Sequence, residues 1–370
     1  MKHLIYGNGV TIQFGGRDYT NAKIIKRAIN NVNTKDFPKE IYPREIKEYL
    51  LILHKEIKKV IYGIYDNLVF TNEQKESLIK FKERYNNFNS NTKVHDVGLE
   101  DYFLIHILFC NKYQINSSDR YQFKEALRVF FLDAIYNNGQ IQELYKEFSL
   151  EFIEFLNNFD CIYTTNYDWN VEKVIEKDIE YIHGSFHTLS DIYNPESLRN
   201  KLPDAPTKSI DLLIEDFGHL YSDALTSYSG ENKKFNIDTM KSANKGMNKF
   251  ISGLKEKPEL ENEILEWEMA ENELVRNLYH AIRIKQKENT LNFNYNKALE
   301  NFGEIQGELN ILGLSPFNDN HIFQAIQNNN KIKSVNYYFF TEEEKSSIRS
   351  ILDNHSLKFT DVKSFWRDVC

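Results

Sequence analysis

The chain has 370 residues, 41% of them hydrophobic, and a formal net charge of −8. That length and apolar content suffice for a large core or two to three domain-sized units and exclude a disordered chain. The acidic balance argues against a broad nucleic-acid-binding face, which would carry a basic stripe, so no direct nucleic-acid partner is expected.

The predicted elements begin with a short strand at residues 3–6, His-Leu-Ile-Tyr, that runs into Gly7 and Gly9 and a polar, aromatic loop to about Tyr19. Apolar residues at helical spacing predict helices at about 21–33, 43–68, 71–86, 99–112, 119–137 and 140–157, with a loop at 87–98. The pattern then changes. Phe159–Thr164 and Ile179–Ile182 read as buried strands, with a short helix over Val171–Ile175 between them, which is the strand–helix–strand signature of a parallel sheet. Residues 190–300 read as helical, with loops at 201–208 and 229–246 and an amphipathic helix over 259–285. Its stripe of Leu260, Ile264, Trp267, Leu274 and Leu278 is expected to face the core. Strands follow at Leu309–Leu314, Ser334–Phe340 and Leu357–Val362. A helix is expected at about 319–330, and another at 342–353 opens with a Thr341/Glu344 capping box.

The expected fold is therefore α/β, a Rossmann-like parallel sheet interrupted by two large helical insertions. The sheet would come from 1–20, 158–190 and 305–370, and the insertions would be 21–157 and 191–304. The three cysteines, Cys110, Cys161 and Cys370, are far apart and lack ligand spacing, so no metal is expected and a reducing, cytoplasmic setting fits. No apolar stretch approaches 18 residues and the N-terminus lacks a signal-peptide core, so no membrane association is expected.

Four segments carry the candidate chemistry. Each follows a predicted strand, and ligands of open α/β sheets bind beyond the carboxyl ends of the strands. Gly7-Asn8-Gly9-Val10-Thr11 allows a tight turn and close approach to a phosphate, although Ile12 stands where a third glycine would complete the usual fingerprint. Arg17, after Gly15-Gly16, is a phosphate contact or a solvated turn residue. In Thr164-Thr165-Asn166-Tyr167-Asp168, the Asn166 amide both donates and accepts, which suits a sugar hydroxyl or a water, and Asp168 can accept from a carboxamide NH2. Read alone, the same tripeptide is a turn and helix cap. His183, before Gly184, has the ordinary pKa range of a general base near neutral pH. His187 is a second site residue or a surface group, and His106, inside the apolar run Phe103–Phe109, is assigned to the core. Gly313 and Ser315 end a strand where they can meet ribose or phosphate, and Asp319 is expected to cap the following helix.

Taken in order, Gly-x-Gly-x-Thr, Thr-Thr-Asn-Tyr-Asp, His-Gly and strand-Gly-x-Ser resemble the sirtuin-like NAD-binding family, closest to its divergent bacterial branch in phage-defence systems. The Gly-Asn-Gly opening and the His-Gly segment also resemble the AbiH-like abortive-infection family, which tends to have Phe-Asp where this chain has Val10 and Thr11. The resemblance covers the sheet-forming third of the chain. It implies an enzyme that hydrolyses NAD, as substrate, to nicotinamide and ADP-ribose. Gly7, Gly9 and Thr11 would cradle phosphates; Asn166 would contact the nicotinamide ribose and position water; Asp168 would bind the carboxamide; His183 would be the base; Gly313 and Ser315 would hold the adenosine half. Asn8, Arg17, Thr165 and Gly184 belong to the implied cofactor-binding set. Asn8 replaces the usual alanine and adds bulk by the pyrophosphate. The four-cysteine zinc module of the protein deacylases is missing, which disfavours deacylation. The implied partners are a homo-oligomer or a second defence protein (an ATPase, an Argonaute-like protein or a phage trigger). The alternative expectation is a sensor that binds NAD or ADP-ribose without cleaving it.

Overall fold

The computed structural model describes residues 1–34, 37–39, 41–203 and 215–370. The expected loop at 201–208 lies in part outside them. The chain divides into two compact units: Met1–Ser185 with Ala224–Lys233 and Lys297–Cys370, and Phe186–Asp223 with Lys234–Asn296.

The first unit holds a six-stranded sheet, all of it parallel. Its strands are β1 (Lys2–Tyr6), β2 (Cys161–Thr164), β3 (Ile179–Tyr181), β4 (Gly307–Leu312), β5 (Ile332–Phe339) and β6 (Ser356–Asp361), in the spatial order β3-β2-β1-β4-β5-β6. The α/β, Rossmann-like expectation is met. Register is set by apolar side chains alternating between two faces. Ile5 of β1, Ile311 of β4 and Val335 and Tyr337 of β5 pack against the helices Ala298–Gly303, Asn320–Gln327 and Glu342–Ile351. Leu4 and Tyr6, Ile162, Leu312 and Tyr338 point the other way, into a cluster with Phe152 and Leu156 of the helix Leu150–Asn157 and Phe365 of the helix Val362–Val369. A sheet covered on both faces needs near-continuous apolar strands, and these runs supply them. One exception is a polar ladder across three strands: Thr360 donates to Asn336 at 3.0 Å, and Asn336 donates to Asn310 at 3.0 Å.

The helices expected before β2 form at Asn21–Asn31, Ile46–Ile61, Asn72–Arg84, Asp101–Lys112 and Ser117–Tyr136. Several local expectations fail. The loop after Gly9 is a helix, Asn8–Gly15, because Val10 and Thr11 bury against the sheet. The stretch 140–157 breaks at Ser149, whose hydroxyl accepts from Phe152 N and caps a new helix. Val171–Ile175 forms turns, not a helix: a five-residue segment gains too few bonds to repay nucleation, and Asn170 at its start is bonded to Asp168. The loop expected at 229–246 is instead part of the long helix Gly230–Glu256.

The second unit is helical, packing Leu198, Met247, Ile251, Ile264 and Ile282 together. The helix expected over 259–285 is interrupted, and Asn272 caps its final piece, Glu273–Lys287, by accepting from Leu274 N. The break rotates the stripe. Ile264 is buried, whereas Leu274 is 77% exposed. Among the described residues, no helix is long and apolar enough to cross a membrane.

Candidate active site at the carboxyl edge of the sheet

In the first unit, β1 and β4 are neighbours at the centre of the sheet, where the strand order reverses direction. This is the point of such a sheet where ligands bind. The segments leaving them touch backbone to backbone: Gly7 N donates to Leu312 O, and Gly9 N donates to Gly313 O, both at 3.0 Å. A Cβ on Gly9 would stand 2.5 Å from Gly313 Cα, and Gly313 itself adopts φ +72°. Both glycines are thus demanded by the crossing of two chain segments, and the Gly9 amide is already engaged there.

Beyond β2, Asn166 is buried and its side-chain amide donates to Thr11 Oγ1 at 2.8 Å. Its backbone N–H donates to Thr164 Oγ1, and Thr164 Oγ1 donates to Tyr6 O. Asp168 is 2% exposed. Its Oδ1 accepts from Asn170 Nδ2 at 2.6 Å and Asn170 N at 3.1 Å. Its Oδ2 has no hydrogen-bond partner among the described residues, and neither has Tyr6 Oη. Burial pushes the Asp168 carboxyl up to about 6 despite the bonds from Asn170. Burial, and then the Asp168 charge, hold the Tyr6 phenol well above its ordinary range. Tyr6, Thr11, Asn166, Asp168 and Asn170 line one small cavity with about 10 Å³ of room, enough for about one water, closed by Phe14, Leu144 and Phe148. The covering turn at 141–145 is pinned through Asn170: Nδ2 donates to Ile141 O at 2.7 Å, and Oδ1 accepts from Tyr145 N at 2.9 Å.

His183 lies elsewhere. It lines a second small cavity of the same unit, with about 20 Å³ of room, together with Tyr167, Glu100, Lys233, Asn318 and His321. Its Nε2 is 2.9 Å from His321 Nε2, and the two rings stack 5.0 Å apart. Burial drives His183 well below its usual pKa, and burial pulls His321 down to about 4, so both rings are neutral at pH 7. Because Asn166 and Asp168 face one way and Tyr167 the other, the expectation of one pocket shared by the Asn166 amide and the His183 imidazole is not met in this conformation.

The other candidate residues are dispersed along the same edge. Thr165 is half-buried, with its Oγ1 2.9 Å from where a Gly7 Cβ would stand. Asn8 is exposed and donates to Tyr19 O at 3.1 Å, so its side chain is turned along its own loop. Arg17 is exposed, and its carbonyl accepts from Thr20 Oγ1. Gly184 is buried at φ +84°. Ser315 Oγ accepts from Phe317 N, and Ser315 N donates to Asp319 Oδ2 at 3.3 Å. Asp319 makes no side-chain cap to the helix at Asn320. Burial raises the Asp319 carboxyl to about 7. His106 sits in the helical core, 2.6 Å from Tyr49 Oη through Nδ1. Sequence reasoning missed Tyr6, Asn170, Glu100, Lys233 and His321. Tyr6 and Asn170 adjoin the quoted motifs and were open to notice. Glu100 and Lys233 come from helical segments with no motif.

Among the described residues, no three His, Cys, Asp or Glu side chains are grouped to hold a metal ion. Comparison with protein-family models, with curated proteins and with solved structures finds no match to this chain.

Proposed function

We propose that the protein is an NAD glycohydrolase whose reaction centre is the cavity lined by Asn166 and Asp168. The observation that carries this reading is the Asp168 Oδ2 atom, buried without a partner at the carboxyl edge of the sheet. A buried acceptor left unmade costs stability, and such sites persist where a ligand completes them. A carboxamide N–H is a donor of the right kind. Asn166, released from Thr11, would hold the adjoining ribose hydroxyl. The C1′–N bond breaks with its electron pair leaving on the nicotinamide nitrogen, which departs neutral. Water adds to C1′, and its proton passes to a neutral base, the role assigned to His183. The cavity has only about 10 Å³ of room, against about 300–1,000 Å³ for a typical small-molecule site, so binding requires the 141–145 turn to swing away and His183 to approach. A closed, inactive resting state suits the setting implied by the resemblance, an NAD-depleting effector of anti-phage defence held in check by a second copy or a partner protein.

One observation favours a second reading, a sensor that binds NAD or ADP-ribose without cleavage. Asn166 and His183 line different cavities. Nicotinamide release from NAD separates the two. The glycohydrolase reading expects release by the wild type, lost in Asn166→Ala and His183→Ala. Binding of ADP-ribose by all three with no release under any activating condition supports the sensor.

A further inference from the structure

The second unit carries its charge in two blocks. The helix Gly230–Glu256 exposes Lys234, Lys245 and Lys249, with Lys241 on the same line. Their spacing of i, i+7, i+11 and i+15 keeps them on one flank of the helix, which Asp238 alone interrupts. The chain leaves the helix at Lys257 and enters a stretch of opposite sign. Residues 259–273 hold seven glutamates and no lysine or arginine. Glu261 is paired with Arg283 at 2.8 Å, whereas Glu259, Glu263, Glu266, Glu271 and Glu273 are exposed.

The two blocks lie side by side. Phe250, one residue past Lys249 and so about 100° further round the helix, packs against Trp267 of the glutamate stretch, with ring centroids 5.9 Å apart. Between the lysine flank and Phe250 the helix exposes Ser242 and Gly246, and nothing lies within 4 Å of where a Gly246 Cβ would stand. The face is thus positive along one edge, low in the middle and negative along the other. The negative edge is also apolar. Met269 is 86% exposed, and exposed Leu265 precedes it by one helical turn. On the helix Glu273–Lys287, exposed Leu274 and Leu278 share a face with buried Ala281 and Ile282, so the apolar stripe runs beyond the core that its C-terminal half fills.

Lysine suits such an edge, because its four-carbon stem lies along apolar surface while its ammonium reaches a carboxylate. The lysine flank of the same unit offers that side chain in a row. A surface positive at one edge and negative at the other meets itself with signs matched when turned through a two-fold axis. We propose that this face is an isologous interface with a second copy of the chain. The Lys234–Lys249 flank of each protomer lies on the Leu265, Met269 and Leu274 surface of the other, with its ammonium groups on Glu266, Glu271 and Glu273. The inference is independent of the Asp168 cavity and of the reaction proposed there.

Sedimentation of the whole chain tests it. The wild type is expected to dimerise, with Kd rising several-fold as salt goes from about 0.1 M to about 1 M and the screening length falls from about 10 Å to about 3 Å. Lys245→Glu with Lys249→Glu, and Glu266→Lys with Glu271→Lys, are each expected to weaken the homodimer at least tenfold. An equimolar mixture of the two variants must dimerise again, because both contacts of the mixed pair join opposite charges. Leu274→Ser is expected to weaken the dimer several-fold. Lys26→Glu with Lys55→Glu, at exposed lysines of the first unit, changes the net charge equally and should leave Kd within twofold. A wild type that stays monomeric to high micromolar concentration overturns the proposal without recourse to any variant. So does a mixture no more associated than its components, or a dimer indifferent to salt and to both charge reversals.

Discussion

Two cavities flank the segment Asn166–Asp168, and they differ in kind. The cavity on the Asn166 and Asp168 side is tight, walled by Phe14, Leu144 and Phe148, and holds a carboxylate oxygen with nothing to bond. The cavity on the Tyr167 side is roomier and polar, and its imidazoles bond each other. Three consecutive residues divide two environments: Asn166 and Asp168 line one cavity and Tyr167 the other. One cavity is short of a partner and the other supplies its own. Chemistry that must recognise a particular donor belongs in the first, and adaptable polar recognition in the second.

The strongest way to break this contrast is kinetic. Asn166→Ala and Asp168→Ala are each expected to lower nicotinamide release by about two to three orders of magnitude, the cost of losing one well-placed polar group at a reacting centre. Lys233→Met, in the other cavity, should leave kcat within a few-fold of the wild type. Equal kcat effects from both cavities would end the division of labour. Next in size is a test of what the cavities share. Val10 and Thr11 follow Gly9 into the first, and Asn318 and His321 follow Gly313 into the second. Gly9→Ala forces backbone against backbone and is expected to cost about 3 kcal/mol by urea unfolding, with the Asn166 amide and the His321 imidazole signals perturbed together.

Asp168 sharpens the contrast by titration. Its folded pKa, about 6, lies above the ordinary Asp value of about 3.9, so the native state holds the proton more tightly than the unfolded chain does. The native state is favoured by this group below about pH 4, and that contribution is lost as pH rises to about 6. Asp168→Asn, which keeps the shape, should therefore match the wild type in acid and exceed it by up to about 3 kcal/mol at pH 7. A difference independent of pH would mean that the carboxyl is not strained by burial. Smaller still, Asn170→Ala removes the bonds that pin the 141–145 turn. It is expected to cost about 1–2 kcal/mol and to speed amide exchange in that turn, which exchange-coupled mass spectrometry reads. At the bottom of the scale, Thr341→Ala deletes a helix cap at the start of Glu342–Ile351. It should cost about 1 kcal/mol in denaturant titration and leave nicotinamide release alone.

Much of the sheet was legible in the sequence. Strands buried on both faces read as short apolar runs closed by glycine or threonine, and all six were found within a few residues. Their spatial order was not legible, since nothing local states that β1 pairs with β2 and β4. The Val171–Ile175 turn and the break at Ala270–Asn272 were missed because apolar periodicity runs on where capping side chains interrupt the helix. For the site, the motifs named in the sequence do lie beyond the carboxyl ends of β1, β2 and β4. The division between cavities depends on which way Asn166, Tyr167 and Asp168 turn, and a list of polar residues does not carry that. Glu100 and Lys233 reach the second cavity from distant helices whose spacing gives no hint of it.

The Gly9–Gly313 crossing has a consequence for how the molecule comes into being. Strand β1 is synthesised before both of its neighbours: it acquires one only when residues 161–164 emerge, and the other only when 307–312 do. Until then its apolar edge is unsatisfied. Pairings so remote along the chain slow folding and expose nascent protein to aggregation. Synthesis of this protein should thus lean on chaperones that hold the early helical segment until the last third arrives to close the centre of the sheet.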